Sequence, residues 1–420
     1  MEGSLRRKMN STKDRTAVLF VLYAVLTIAL YTLPMLKITL PYMVVALLLL
    51  VSLFFFMVKS SRWLYWGIVL CATSLIVMAV NVITGAYGLV DSINEMIRNI
   101  RFFLPVLWGC YAIKHCSDKQ KKFVLLMFGV LSVFMLIKTL GALRIDPMVC
   151  RDLAAGVTKI STTRTAYRMQ NVGGFEYSYM MGIVTLCFVW AAVKAKSKNI
   201  RIMSLVAAVI GYYFIIQTMY TLLLILTFVG TVLILFASTK NVAFRVFIVM
   251  LCLFAVLFIE PVLEFLADVF SFSSMLHDKF TNMHLALKFD DVDMVGSRPE
   301  LLKRGLENWT LHPILGGKHP VSNSHSLVMS LLENSGILGF GLWIGFFFKG
   351  WKMLKEEMEK KEISTALVDV AMLYVLVLSI FNPIGYVFEV LFAAFFIVPI
   401  WCSVVKIHMG DRIRRKVRRG

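Results

Sequence analysis

The chain has 420 residues, 59% of them hydrophobic and 16% charged, with a formal net charge of +19 at pH 7. Its apolar runs are continuous rather than alternating. This excludes a soluble catalytic domain and favours helices, because a hydrocarbon core of about 30 Å is crossed by roughly 20 helical residues. The charge excludes a nucleic-acid footprint once it is mapped onto the spans, where it collects on one membrane face.

In chain order, the basic segment 1–15 is followed by predicted spans over about 16–33, 38–58, 63–84, 102–115, 123–142 and 175–193. Six more cover 202–216, 219–237, 246–259, 326–348, 364–382 and 384–405. The first apolar run reads as a retained span, since no small-residue cleavage site follows it. About 12 transmembrane helices with both termini cytoplasmic place twenty-nine of the 44 Lys and Arg on the inner side. That asymmetry is the positive-inside rule. The basic tail 406–420, with Arg412, Arg414, Arg415, Lys416, Arg418 and Arg419, meets anionic headgroups of the lipid bilayer. The expectation is an all-α polytopic integral membrane protein forming a single transmembrane domain over 1–420. It carries two larger extracytoplasmic loops, about 143–174 and 260–325.

The seven cysteines are scattered, show no metal-ligand spacing and read as small apolar fillers. In the second loop Val262, Phe265, Leu266, Val269 and Phe270, then Leu276, Phe280, Met283 and Leu287, repeat at helical spacing. They predict helices lying in the membrane interface, with a cap packed on itself as the other possibility.

The outer side carries eight arginines: Arg98, Arg101, Arg144, Arg151, Arg164, Arg168, Arg298 and Arg304. Arg98 and Arg101 share a helix face, as would Arg164 and Arg168 in a helical segment. A guanidinium offers a planar fork of donors and stays charged, so this set points to a diphosphate or another polyanion. Five of the seven histidines lie in the second loop, among them His319 and His325. Histidine suits acid–base work near neutrality.

The stretch from Gly296 to Gly345 is organised differently from the apolar runs around it. Ser297-Arg298-Pro299-Glu300 reads as a capping box that starts a short helix, with Leu302, Leu306 and Trp309 as its apolar side. His312-Pro313 ends that helix and Gly316-Gly317 turns the chain. Ser322 to His325 then caps a long apolar helix beginning near Ser326. Glu333, about 12 Å down that helix from His325, is an intramembrane acid that needs a partner. Gly336, Gly339, Gly341 and Gly345 read as places where neighbouring helices approach closely.

The series Arg298, Trp309, Pro313-Ile314-Leu315-Gly316-Gly317, His325-Ser326, Leu331, Glu333, Gly336 and Gly339 resembles the signature region of the O-antigen ligase/polymerase family. This chain has Gly316-Gly317 where that family commonly has Gly-x-Gly, and Ser326 where it commonly has Asn. The earlier loop, Arg164 to Gly182, is similar to the family's other outer arginine loop, with Arg168 the closer match. The resemblance implies a GT-C-type glycosyltransferase of the bacterial cytoplasmic membrane with its site on the extracytoplasmic face. It implies transfer of glycan from an undecaprenyl-diphosphate carrier to an acceptor hydroxyl, without metal or other cofactor.

On that basis His325 deprotonates the acceptor, while Arg168 and Arg298 stabilise the departing diphosphate. Arg164, Arg98, Arg101, Arg304 and Glu333 are the supporting substrate-binding candidates. The surplus of outer cations favours two anionic substrates and therefore a polymerase over a ligase. A flippase and a chain-length regulator are candidate protein partners. The alternative from another class is a lipid flippase or transporter.

Overall fold

The computed structural model describes residues 21–29, 32–39, 105–155, 161–195, 197–239, 241–289, 298–316, 326–382 and 388–406, with isolated positions between 72 and 89. Among these the regular structure is helical throughout, without a strand. The helices are α1 (Pro34–Thr39), α2 (Asp118–Ile145), α3 (Val149–Ala155), α4 (Ser161–Met169) and α5 (Phe175–Lys194). They continue with α6 (Lys198–Gln217), α7 (Thr221–Ser238), α8 (Val242–Leu257), α9 (Ile259–Val269) and α10 (Ser274–Phe289). The last are α11 (Arg298–Leu311), α12 (Leu327–Glu359), α13 (Ala366–Phe381), α14 (Phe388–Phe392) and α15 (Val398–Lys406), with a π-helical stretch Ala393–Ile397 joining the final two. Residues 105–115 are helical as well.

Five of these helices, α2, α5, α6, α7 and α12, are long and apolar enough to cross a membrane, or up to six if the bent pair α8 and α9 is one span. The remaining predicted spans are shorter apolar helices, as at Ala366–Phe381, or lie largely outside the described residues. Local sequence explains most of the ends. Ser117 opens α2 with a capping box, its N–H donating to Gln120 Oε1 at 2.8 Å. Asn241 caps α8 by accepting from the N–H groups of Ala243 and Phe244. Met219 turns α6 into α7 with a left-handed φ of 56°.

The chain forms two compact units. The first is assembled from three separated stretches, Met1–Met180, Ile344–Val368 and Tyr386–Gly420. Lipid tails are as apolar as leucine, so packing and small residues hold such helices together more than the hydrophobic effect does. Gly109 lies against the backbone carbonyl of Phe395 in the π-helical stretch, and Gly350 lies against Val106. Trp108 sets its edge on Phe392 and Phe396 at 6.2 and 6.3 Å between ring centres. The buried ammonium of Lys121 donates to Ser403 Oγ at 3.0 Å and thereby ties α2 to α15.

The second unit comprises Met181–Trp343 and Asp369–Gly385. In it Gly182 admits Tyr374, Leu223 and Thr227, Gly211 admits Thr185, and Gly230 admits Leu186. α9 and α10 form a helical pair around buried Leu263, Ala267, Leu276 and Phe280.

Two expectations change. Among the described residues the four glycines of α12 are not a shared approach surface: Gly341 and Gly345 meet nothing within 4 Å, and Gly339 meets Ser335 of its own helix. Gly336 is instead a break, with φ 58° and ψ −165°. On α11 the apolar Leu302 and Leu306 are exposed, and Gly305 is buried. Finally, the cap of α12 is Ser326 itself, whose Oγ accepts from Met329 N at 3.3 Å.

Candidate functional site

In the second unit the end of α11 and the turn at residues 313–316 are stitched to residues 334–338 of α12. α11 stops at Leu311 because Pro313 pushes His312 out of helical geometry. His312 N–H then donates to Trp309 O, and Gly316 N–H to His312 O, each at 3.0 Å. Pro313 O accepts from Trp309 Nε1 at 3.1 Å and from Ile337 N at 2.9 Å, using both lone pairs.

This turn solves the problem that the break in α12 creates. A helix that restarts exposes N–H groups without intrahelical acceptors, which is costly away from water. At Gly336 the restarting helix finds Pro313 O for Ile337 and, at 3.4 Å, Ile314 O for Leu338. The two backbones reach each other because both crossing points are glycine in left-handed geometry. Gly316, at φ 83°, sits on the Asn334–Ser335 peptide, and Gly336 sits on the Ile314 carbonyl. A Cβ at either position would overlap the opposite main chain.

Glu333 lies three residues before the break and is 3% exposed. Its carboxylate rests on Gly305 of α11, in the space a side chain there would fill. Glu333 Oε1, Asn334 Oδ1 and Asn308 Nδ2 are buried without a hydrogen-bond partner among the described residues. Asn308 follows Gly305 by one turn on the same face, and Arg298 precedes it by two. Two open acceptors on α12 and one open amide donor on α11 are therefore buried in the second unit, with the Glu333 carboxylate at the contact between the two helices. Chemically they can take hydroxyl or amide groups of a ligand, or ordered water. Buried polar atoms in this state are uncommon and call for an occupant. Arg304 is elsewhere: it is exposed and ion-paired with Glu300 one turn away on α11.

In the first unit, Arg164 and Arg168 stand four residues apart on α4. Arg168 is in the last turn, where a cation offsets the partial negative charge of the helix end. The chain leaves α4 through Asn171, held at φ 58°, whose Oδ1 accepts from Met35 N at 3.2 Å. Gly173 then donates to Thr139 Oγ1 at 2.8 Å and accepts from Cys150 Sγ at 3.3 Å. Burial pushes the Cys150 thiol up to about 12, so it acts as a neutral donor and not as a nucleophile. Tyr177 O–H donates to Ser132 O at 2.6 Å and completes the anchor. The half-buried Arg168 thus stands on the last turn of a helix whose exit loop is fixed on three sides.

Of the sequence-derived site residues, Glu333 and the α11 positions of Arg298 and Arg304 lie in the second unit, while Arg164 and Arg168 lie in the first. His325, His319, Arg98 and Arg101 lie outside the described residues, as do the side chains of Arg164 and Arg298. Among the described residues no group of three His, Cys, Asp or Glu could hold a metal ion. Gly305 and Asn308 were missed from sequence. The available signal was a glycine inside a helix, which costs roughly 1 kcal/mol against alanine and so asks for a packing reason. Comparison with protein-family models, with curated proteins and with solved structures gives no match.

Proposed function

We propose that this chain is a membrane glycosyltransferase that moves glycan from an undecaprenyl-diphosphate carrier to an acceptor hydroxyl on the extracytoplasmic face. The observation that carries the reading is the stitched turn. Trp309, Pro313, Gly316 and Gly336, residues on which the resemblance rests, are bonded or packed to one another, although 27 positions separate the first from the last. The motif is therefore a built unit, and the chain that re-enters it at Ser326 directly follows His325. Within this reading His325 is the base, Arg168 and Arg298 face the diphosphate, and Arg164, Arg98 and Arg101 support them. Glu333 with Asn308 contacts sugar hydroxyls. Arg304 contributes least, since Glu300 already neutralises it. Twelve spans with both termini cytoplasmic, a GT-C architecture and residence in a bacterial inner membrane belong to the same proposal.

Polymerisation of lipid-linked repeat units is preferred to ligation, because eight outer arginines exceed what one diphosphate requires. The test is purified protein reconstituted with lipid-diphosphate repeat units alone. A ladder of longer chains on the lipid is expected. His325→Ala should lower turnover by about a hundredfold or more, the usual cost of removing a general base, with the protein still inserted. If chains grow only after a non-diphosphate acceptor is added, the enzyme is a ligase.

One observation favours a second reading. Transporters place their sites at broken membrane helices, and α12 is broken three residues after a buried carboxylate. Movement of intact lipid-diphosphate glycan across the bilayer, without loss of the diphosphate bond, would establish transport and end the transferase proposal.

A further inference from the structure

The candidate is the turn from α8 into α9 and the apolar stripe that continues past it. α8 is apolar on nearly every side, with Phe247, Met250, Phe254 and Leu257 all exposed. For a helix of this composition the surrounding medium is hydrocarbon. At Phe258 the chain bends by 89° into α9. Pro261 explains the bend, because its ring clashes with the carbonyl four residues back, at Leu257, where α8 ends. A helix perpendicular to a membrane-crossing segment runs along the membrane plane.

The faces of α9 divide accordingly. Leu263 and Ala267 are buried against α10. Glu260, Glu264 and Asp268, at a spacing of four, form an exposed acidic line. Positions 262, 265 and 269 form a third line, on which Phe265 is 64% and Val269 47% exposed, and Phe272, 66% exposed, follows in the turn after α9. α10 covers one side, acids occupy another, and the remaining side is apolar and largely bare. A face rich in aromatic side chains, joined to a lipid-facing helix and held at a right angle to it, has the geometry of an interfacial helix.

The geometry points to α9 as an in-plane helix whose Phe265–Val269 side, with Phe272 just past its end, is seated in the lipid bilayer at the headgroup–acyl boundary. The acidic line is kept out of that boundary, where anionic headgroups would repel it. The turn at Pro261 makes the arrangement possible: a straight continuation would carry α9 away from the membrane along the line of α8. The seating depth for such helices is about 5–10 Å.

The test places p-azidophenylalanine singly at Phe265, Phe272, Glu264 and Asp268 of the full chain in nanodiscs of phosphatidylethanolamine and phosphatidylglycerol. After irradiation, adducts are read by mass spectrometry. Lipid adducts are expected at 265 and 272, several-fold above those at 264 and 268. A cross-linked second copy at 265 and 272 would overturn the proposal in favour of a protein interface. Water-quenched label at all four positions would overturn it in favour of a solvent-exposed stripe. Folding is checked independently by an unchanged size-exclusion profile, which the exposed aromatic-for-aromatic changes at 265 and 272 should preserve.

Discussion

At Phe258 an apolar helix turns sharply because Pro261 denies it continuation; the Phe258 N–H returns to Phe254 O of its own helix at 2.8 Å, and His284 of α10 meets Glu260 O at 3.2 Å just past the turn. At Gly336 another apolar helix breaks with no proline nearby, and there the main chain of residues 313–316 closes the gap. The first break is local and open. The second is tertiary, glycine-dependent and buried beside an unpartnered carboxylate. A break written in local chemistry tolerates change around it, whereas one written in backbone contact depends on single residues.

The sharpest way to break that contrast is Gly336→Ala. The methyl group would overlap the Ile314 carbonyl in a backbone region that is nearly glycine-only, at an expected cost of about 3 kcal/mol or more. The loss should be visible as a large fall in the thermal midpoint in detergent. An unchanged midpoint would mean that the break is not held where it is described. Next comes Gly305→Ala, which intrudes on the Glu333 carboxylate and should cost about 1–2 kcal/mol. Adding Glu333→Ala should recover part of that, and a double-mutant cycle reading zero coupling would separate the two residues. Trp309→Phe removes one of two donors to Pro313 O, for about 1 kcal/mol. Smallest is Phe258→Ala at the open break, expected within about 0.5 kcal/mol. If it rivals Gly336→Ala, the contrast fails.

The same contrast explains what could be read in advance. The apolar run predicted as a span over 175–193 is the helix Phe175–Lys194, since continuous hydrophobicity and lysine at its end are local facts. The end of α11 before Pro313 was legible for the same reason. The break at Gly336 was not, because one left-handed residue leaves the apolar run from 326 to 348 untouched. Four glycines in that run look alike until residues 313–316 select one of them. The buried position of α11 could not be read from its leucines, because Gly305 and not Leu302 or Leu306 is the residue that is covered. Room for the Glu333 carboxylate decides that face. Arg164 and Arg168 could be paired from their spacing, but the loop that follows them is fixed by Asn171, Thr139 and Cys150, contacts spread across the first 180 residues.

The bond between Lys121 and Ser403 also says something about the order in which the molecule can be made. The first unit draws on Met1–Met180 but also on Ile344–Val368 and Tyr386–Gly420. At roughly 5–20 residues per second, its early helices wait on the order of ten to thirty seconds for the later ones to leave the ribosome. During that interval the glycine surface of Gly109 and the ammonium of Lys121 lack the partners they have in the finished protein. The nascent chain is then most exposed to membrane quality control, and a chain terminated before Ile344 would remain in that condition.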